Sequence, residues 1–177
     1  MRSFILCVVW CGWLCGWCRG QEPLTKALES ITTDELKKHV VFLASDTLQG
    51  REAGTQGNHA AGTFLVQKLK QADLQPAGDE GSWFQYFNGN MRNILAVLPG
   101  SDEKLKGDFI LVSAHYDHVG FGAPNNSRGP IGYVHNGADD NASGCAAVLE
   151  VIDACTHLPT RMRRSVLFAF WDGEEKG

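Results

Sequence analysis

The stretch ILVSAHYDHVG, residues 110–120, runs without a break from apolar side chains into chemically active ones. Ile110, Leu111 and Val112 read as a buried strand, set off upstream by Lys106-Gly107-Asp108 and downstream by Gly120 and Gly122. His115, Asp117 and His118 then arrive where that strand leaves its sheet. Open α/β sheets bind ligands outside the carboxyl ends of their strands, so the placement points to a site as well as to a fold. Taken alone, the stretch also fits a solvated loop that happens to carry histidine.

The flanking sequence supplies the elements such a sheet needs. Thr32-x-x-Glu35 is a capping box ahead of Leu36, Val40 and Leu43 at helical spacing. A glycine-rich polar loop, SDTLQGREAGTQGN (45–58), leads to a second amphipathic helix marked by Ala61, Phe64, Leu65, Leu69 and Ala72. Strands are predicted over 83–87, 93–98 and 109–114, followed by a long loop from 118 to 142. Ser143 is placed to cap a helix carrying Ala147, Val148, Val151 and Ile152; Cys145 and Leu149 make it apolar on most sides and therefore buried. SVLFAFW (165–171) is a last apolar strand. This order predicts an α/β fold, a mixed β-sheet flanked by helices.

A chain of 177 residues with 44% hydrophobic composition suits one globular domain. Its first twenty residues differ from the rest. One early arginine precedes an uncharged apolar run, and Cys18-Arg19-Gly20 offers small residues before a cut at Gln21. That layout predicts a signal peptide over 1–20 and an exported protein. The alternative is an uncleaved membrane anchor, for which the run from 3 to 18 is short of the roughly 20 residues that span a bilayer. The net charge of −4 becomes more negative without Arg2 and Arg19, which excludes an electrostatic footprint for nucleic acid. Cys7, Cys11, Cys15 and Cys18 lie in the leader. Cys145 and Cys155 stand ten residues apart on one predicted helix, about 15 Å, too far for a disulfide, and are expected as buried free thiols.

Three chain segments carry the acids and histidines: His115/Asp117, Asp139/Asp140, and Asp172/Glu174/Glu175. Asp139-x-Asn141-x-Ser143-Gly144 superficially fits a calcium loop, but the helix breakers of RGPIGYVHNGA deny it the entering helix. Adjacent acids before a helix also have a plain use, because they favour its N-terminus. Three carboxylates within four positions after VLFAF repel unless solvent or a cation gathers them. Together the three segments offer the nitrogen and oxygen donors that zinc accepts.

AHYDHVG, NGADDNASG and FWDGEEKG, in this order, resemble the metal-site segments of the M28 family of zinc aminopeptidases, and LQGREAGTQGNHAA resembles the loop and helix preceding the catalytic core in its bacterial members. The resemblance implies a zinc-exopeptidase-like (phosphorylase/hydrolase-like) fold, a two-zinc site and peptide substrates. It implies His115, Asp140 and Glu175 as metal ligands, Asp140 bridging the two ions. Asp117 would orient the ring of His115, and Glu174 would be the general base. Asp139 does not occupy the bridging position. A cis peptide is implied at Asp140-Asn141, while His118 and His135 receive no ligand role and are expected as pocket or structural histidines. The family takes a further aspartate and histidine from segments downstream of the glutamate pair. Residues 21–177 are therefore expected to be the N-terminal part of a catalytic domain, and this chain by itself to be inactive. The resemblance leaves two alternatives. One is a dipeptidase or a glutaminyl-cyclase-like enzyme; the other is a non-catalytic member kept as a binding or structural module. Oligomeric state is not legible.

Overall fold

The computed structural model describes residues 22–127 and 129–177; the expected leader lies outside them. Four helices and five strands follow in the order α1 (Glu22–Glu29), α2 (Thr33–Leu43), α3 (Gln56–Gln71), β1 (Gln75–Pro76), β2 (Phe84–Phe87), β3 (Met91–Leu98), β4 (Phe109–His115), α4 (Ser143–Thr156) and β5 (Ser165–Trp171). Short 3-10 turns occupy Asp46–Arg51, Asp79–Gly81 and Glu174–Lys176, so the loop expected over 45–58 is partly helical and α3 starts inside it.

The sheet is mixed. Its order is β1-β3-β5-β4, with β2 also on β3. β3 runs antiparallel to β5 from Ile94↔Phe170 to Leu98↔Val166. β4 runs parallel to β5 from Phe109↔Ser165 to His115↔Trp171, and α4 forms the crossover between them. The parallel register sets His115 beside Trp171, so both strands release their following residues at the same edge of the sheet. One core unites Leu43, Leu65 and Leu69 of the helices with Ile94, Phe168 and Phe170 of the sheet. Each such side chain contributes about 1.5–3 kcal/mol by leaving water.

β4 is less buried than its composition implies. Phe109, Ile110 and Leu111 remain 57%, 47% and 53% exposed. Among the described residues β4 is an edge strand, hydrogen-bonded to β5 alone, whereas the equally apolar β5 lies between two strands and is almost wholly buried. The helix starts also depart in detail. At α2 the Thr32 hydroxyl accepts from the Glu35 N–H as expected, but the Thr32 N–H turns to the Glu150 carboxylate, 3.2 Å away. At α4 Ser143 is already helical and donates to the Asp139 carbonyl, so it is not the cap. Asn141 takes that place by accepting from the Gly144 N–H at 3.0 Å. Cys145 is buried and Cys155 half-buried, both free thiols.

Candidate metal centre

His115 ends β4, and its ring is only 14% exposed. Nε2 stands 3.1 Å from Oδ1 of Asp140, which the five-residue π-type turn Ala138–Ala142 carries up to the sheet edge. The Asp140–Asn141 peptide within that turn is cis. Glu175 comes from the 3-10 turn after β5. Donor atoms of His115, Asp140 and Glu175 all lie within 4.8 Å of one another. Two carboxylates and an imidazole this close form a nitrogen–oxygen donor set of the kind zinc takes.

Asp117 is fully buried and ties the two strand ends together. Its two carboxylate oxygens accept the N–H groups of Glu174 and Glu175, each at 3.2 Å. Oδ1 also stands 3.6 Å from His115 Nδ1, a buried nitrogen with no hydrogen-bond partner at normal distance. Asp117 is accordingly the carboxylate that faces Nδ1, as Asp140 faces Nε2. Its pull on Nδ1, opposed by burial and reinforced by Glu174 and Asp140, holds the His115 pKa above its ordinary value.

Glu174 is exposed at the mouth of the site and stands outside the three-donor cluster. Asp139 is exposed and also outside it. Asp172 turns away into the protein, where Asn58 Nδ2, the Arg92 N–H and the Gly173 N–H satisfy its carboxylate, and burial raises its pKa. His135 folds back on its own loop, 2.9 Å from the Pro130 carbonyl. His118 reaches the cluster's edge, with Nδ1 2.9 Å from Glu175 Oε1.

One residue behind the site carries no recognisable sequence signal. Arg51 is 1% exposed and sits in the glycine-rich loop. Its guanidinium donates to the carbonyls of Leu43, Tyr116 at 2.9 Å, Asn136 at 2.7 Å and Gly137 at 3.0 Å. It thereby joins the end of α2, the residue after His115 and the approach to the Asp140 turn. Burial lowers its pKa, while nearby acids including Asp117, Asp140 and Glu175 raise it. Gly50 allows this loop to lie against the chain after β4: its φ is +68°, and a Cβ there would meet the Gly120 carbonyl at 2.4 Å. A groove of about 450 Å³ opens elsewhere, between α2, α3 and α4, and holds none of the three donors.

Comparison with known proteins bears on the sequence and the fold. Residues 93–177 match the model of peptidase family M28. A probable leucine aminopeptidase of Arthroderma otae is 26% identical over 121 residues, covering 65% of this chain and 30% of the relative. The LapA aminopeptidase of Legionella pneumophila shares the fold with a TM-score of 0.69 at 20% identity, over 89% of this chain and 39% of that one. A glutaminyl cyclase of Macrostomum lignano shares it with a TM-score of 0.58 at 22% identity, over 86% and 41%. The chain spans about a third of the length of the curated relatives it matches. The stretch similar to peptidase family M28, residues 93–177, is the one that carries β4, α4, β5 and all three clustered donors.

Proposed function

We propose that this protein belongs to a metal-dependent aminopeptidase that removes N-terminal residues from peptides through a two-zinc site. The observation that carries the reading is the convergence of His115, Asp140 and Glu175 donor atoms within 4.8 Å. Asp140, with two carboxylate oxygens, is the donor suited to sharing between ions; His115 would serve one ion and Glu175 the other. When bound, zinc supplies Lewis acidity, polarising a scissile carbonyl and lowering the pKa of water.

The chain's own residues handle geometry and protons. Asp117 sets the direction of His115 and fixes the Glu174–Glu175 turn by accepting both of its N–H groups. Glu174, exposed beside the donors and not among them, takes a proton from the attacking water and returns it to the leaving amine. Three donors divided between two ions leave each short of the three protein ligands usual for catalytic zinc. The 177-residue chain is therefore expected to hold fewer than two equivalents and to release no amino acid by itself.

In the form of the protein that turns over leucyl-p-nitroanilide, Glu174→Gln should nearly abolish the rate with zinc content unchanged, and Glu175→Gln should lower both. Near-normal turnover by Glu174→Gln overturns the base assignment. Glutaminyl cyclisation, which the shared fold allows, would appear as ammonia loss from an N-terminal glutaminyl peptide with no amino acid released. Export is part of the same reading, and N-terminal sequencing of the secreted protein should begin near Gln21. Among the described residues no helix is long and apolar enough to cross a membrane.

A further inference from the structure

His118 has more contacts with the metal centre than a pocket histidine needs. Its main chain is fixed by an N–H bond to the Arg51 carbonyl at 3.1 Å and a bridge to Glu52. Its ring, 13% exposed, lies against Gly137, the residue before the Asp140 turn. A Cβ at Gly137 would stand 2.6 Å from His118 Cδ2 and 2.7 Å from Cγ, so the ring fills the space a side chain there would take. Nδ1 meets Glu175 Oε1 at 2.9 Å, and Asp140 Oδ2 is 4.0 Å away. Among the described residues no other side chain donates to the Glu175 carboxylate.

We infer that His118 is the positioning residue for Glu175: its Nδ1–H holds Oε1 while its ring braces the turn that presents Asp140. A carboxylate oxygen only accepts, so Nδ1 carries the proton in this contact. The remaining lone pairs of Glu175 are left for a cation. One side chain thus sets the distance between two donors that arrive from opposite sides of the site, one after β5 and one before α4. Metal-ligating carboxylates are commonly held in this way, and losing the partner costs about 10–100-fold in metal affinity. The inference rests on the metal reading above and assigns a residue which that reading leaves without a role.

The test uses the whole chain and Co²⁺ as a spectroscopic probe, with affinity measured by calorimetric titration and the visible spectrum recorded at saturation. His118→Phe keeps the packing on Gly137 and removes the donor; affinity should fall about 10–100-fold with the saturated spectrum unchanged. His118→Asn replaces Nδ1–H by an amide N–H at similar reach and should stay within about threefold of wild type. His118→Ala carries the same expectation as His118→Phe if the larger ring disturbs folding. Wild-type affinity in His118→Phe, or equal loss in His118→Asn, overturns the assignment. A changed saturated spectrum also overturns it, by making His118 a ligand. Failure of the underlying reading looks different: the wild-type chain takes up no Co²⁺, or Glu175→Gln binds as tightly as wild type, and both inferences then fall.

Discussion

Replacing Arg51 by methionine tests how the site is held. Methionine retains most of the volume and none of the donors. Four main-chain carbonyls, those of Leu43, Tyr116, Asn136 and Gly137, lose their guanidinium partner in a region where the arginine is 1% exposed. A buried acceptor left unpaired costs about 1–3 kcal/mol, so the gross loss is about 4–12 kcal/mol. Against this, the variant no longer buries a cation, which recovers several kcal/mol. Setting that recovery against the unpaired carbonyls leaves a net expectation of about 3–5 kcal/mol. That is a large share of the 5–15 kcal/mol typical of a domain. Urea unfolding followed by tryptophan fluorescence should show the midpoint falling by about 1.5–2.5 M, for an m-value of about 2 kcal/mol/M. Arg51→Lys keeps the charge but cannot span four carbonyls, and should fall between the two. A midpoint shift below about 0.5 M for Arg51→Met would refute the argument that this arginine joins the three segments.

Three further outcomes follow from burial and exposure. Cys145, whose thiol burial pushes up to about 12, and half-buried Cys155, also raised by burial, should react slowly with iodoacetamide at pH 8 in the folded chain and fast in urea, with Cys155 leading; rapid native labelling of Cys145, read by peptide mapping, would contradict its placement. Burial raises the Glu150 pKa above its ordinary 4.5, so the folded state holds that proton more tightly than the unfolded one. Its contribution to stability is full below pH 4.5 and declines as pH rises through the folded pKa; Glu150→Gln should therefore gain on wild type as pH is raised from 4 to 7, and a pH-independent difference would count against it. Leu111, 53% exposed on the edge strand, should tolerate lysine, and Leu111→Lys should scatter less light than wild type on warming; unchanged aggregation would place the sticky surface elsewhere.

The sequence by itself determined the local elements and the chemistry of the strand ends. Alternation and helical spacing are properties of neighbouring residues, so β3, β4, β5, α2, α3 and α4 were legible within a few positions. The order of AHYDHVG, NGADDNASG and FWDGEEKG marked which histidine and acids to watch, and the cis peptide at Asp140-Asn141 was implied by the family resemblance alone. Whatever depends on partners distant in the chain was decided only by the tertiary structure. The apolar runs of β4 and β5 look alike, yet strand order makes one an exposed edge and the other the buried centre. Asp172 and Glu175 lie three residues apart; the turn after β5 buries one against Asn58 and aims the other at His115 and Asp140. Arg51 looks like any loop arginine until four carbonyls from three segments close around it. A periodic pattern fixes which face a side chain takes, whereas the neighbour it meets is set by register and crossover, and those exist only once the sheet is assembled.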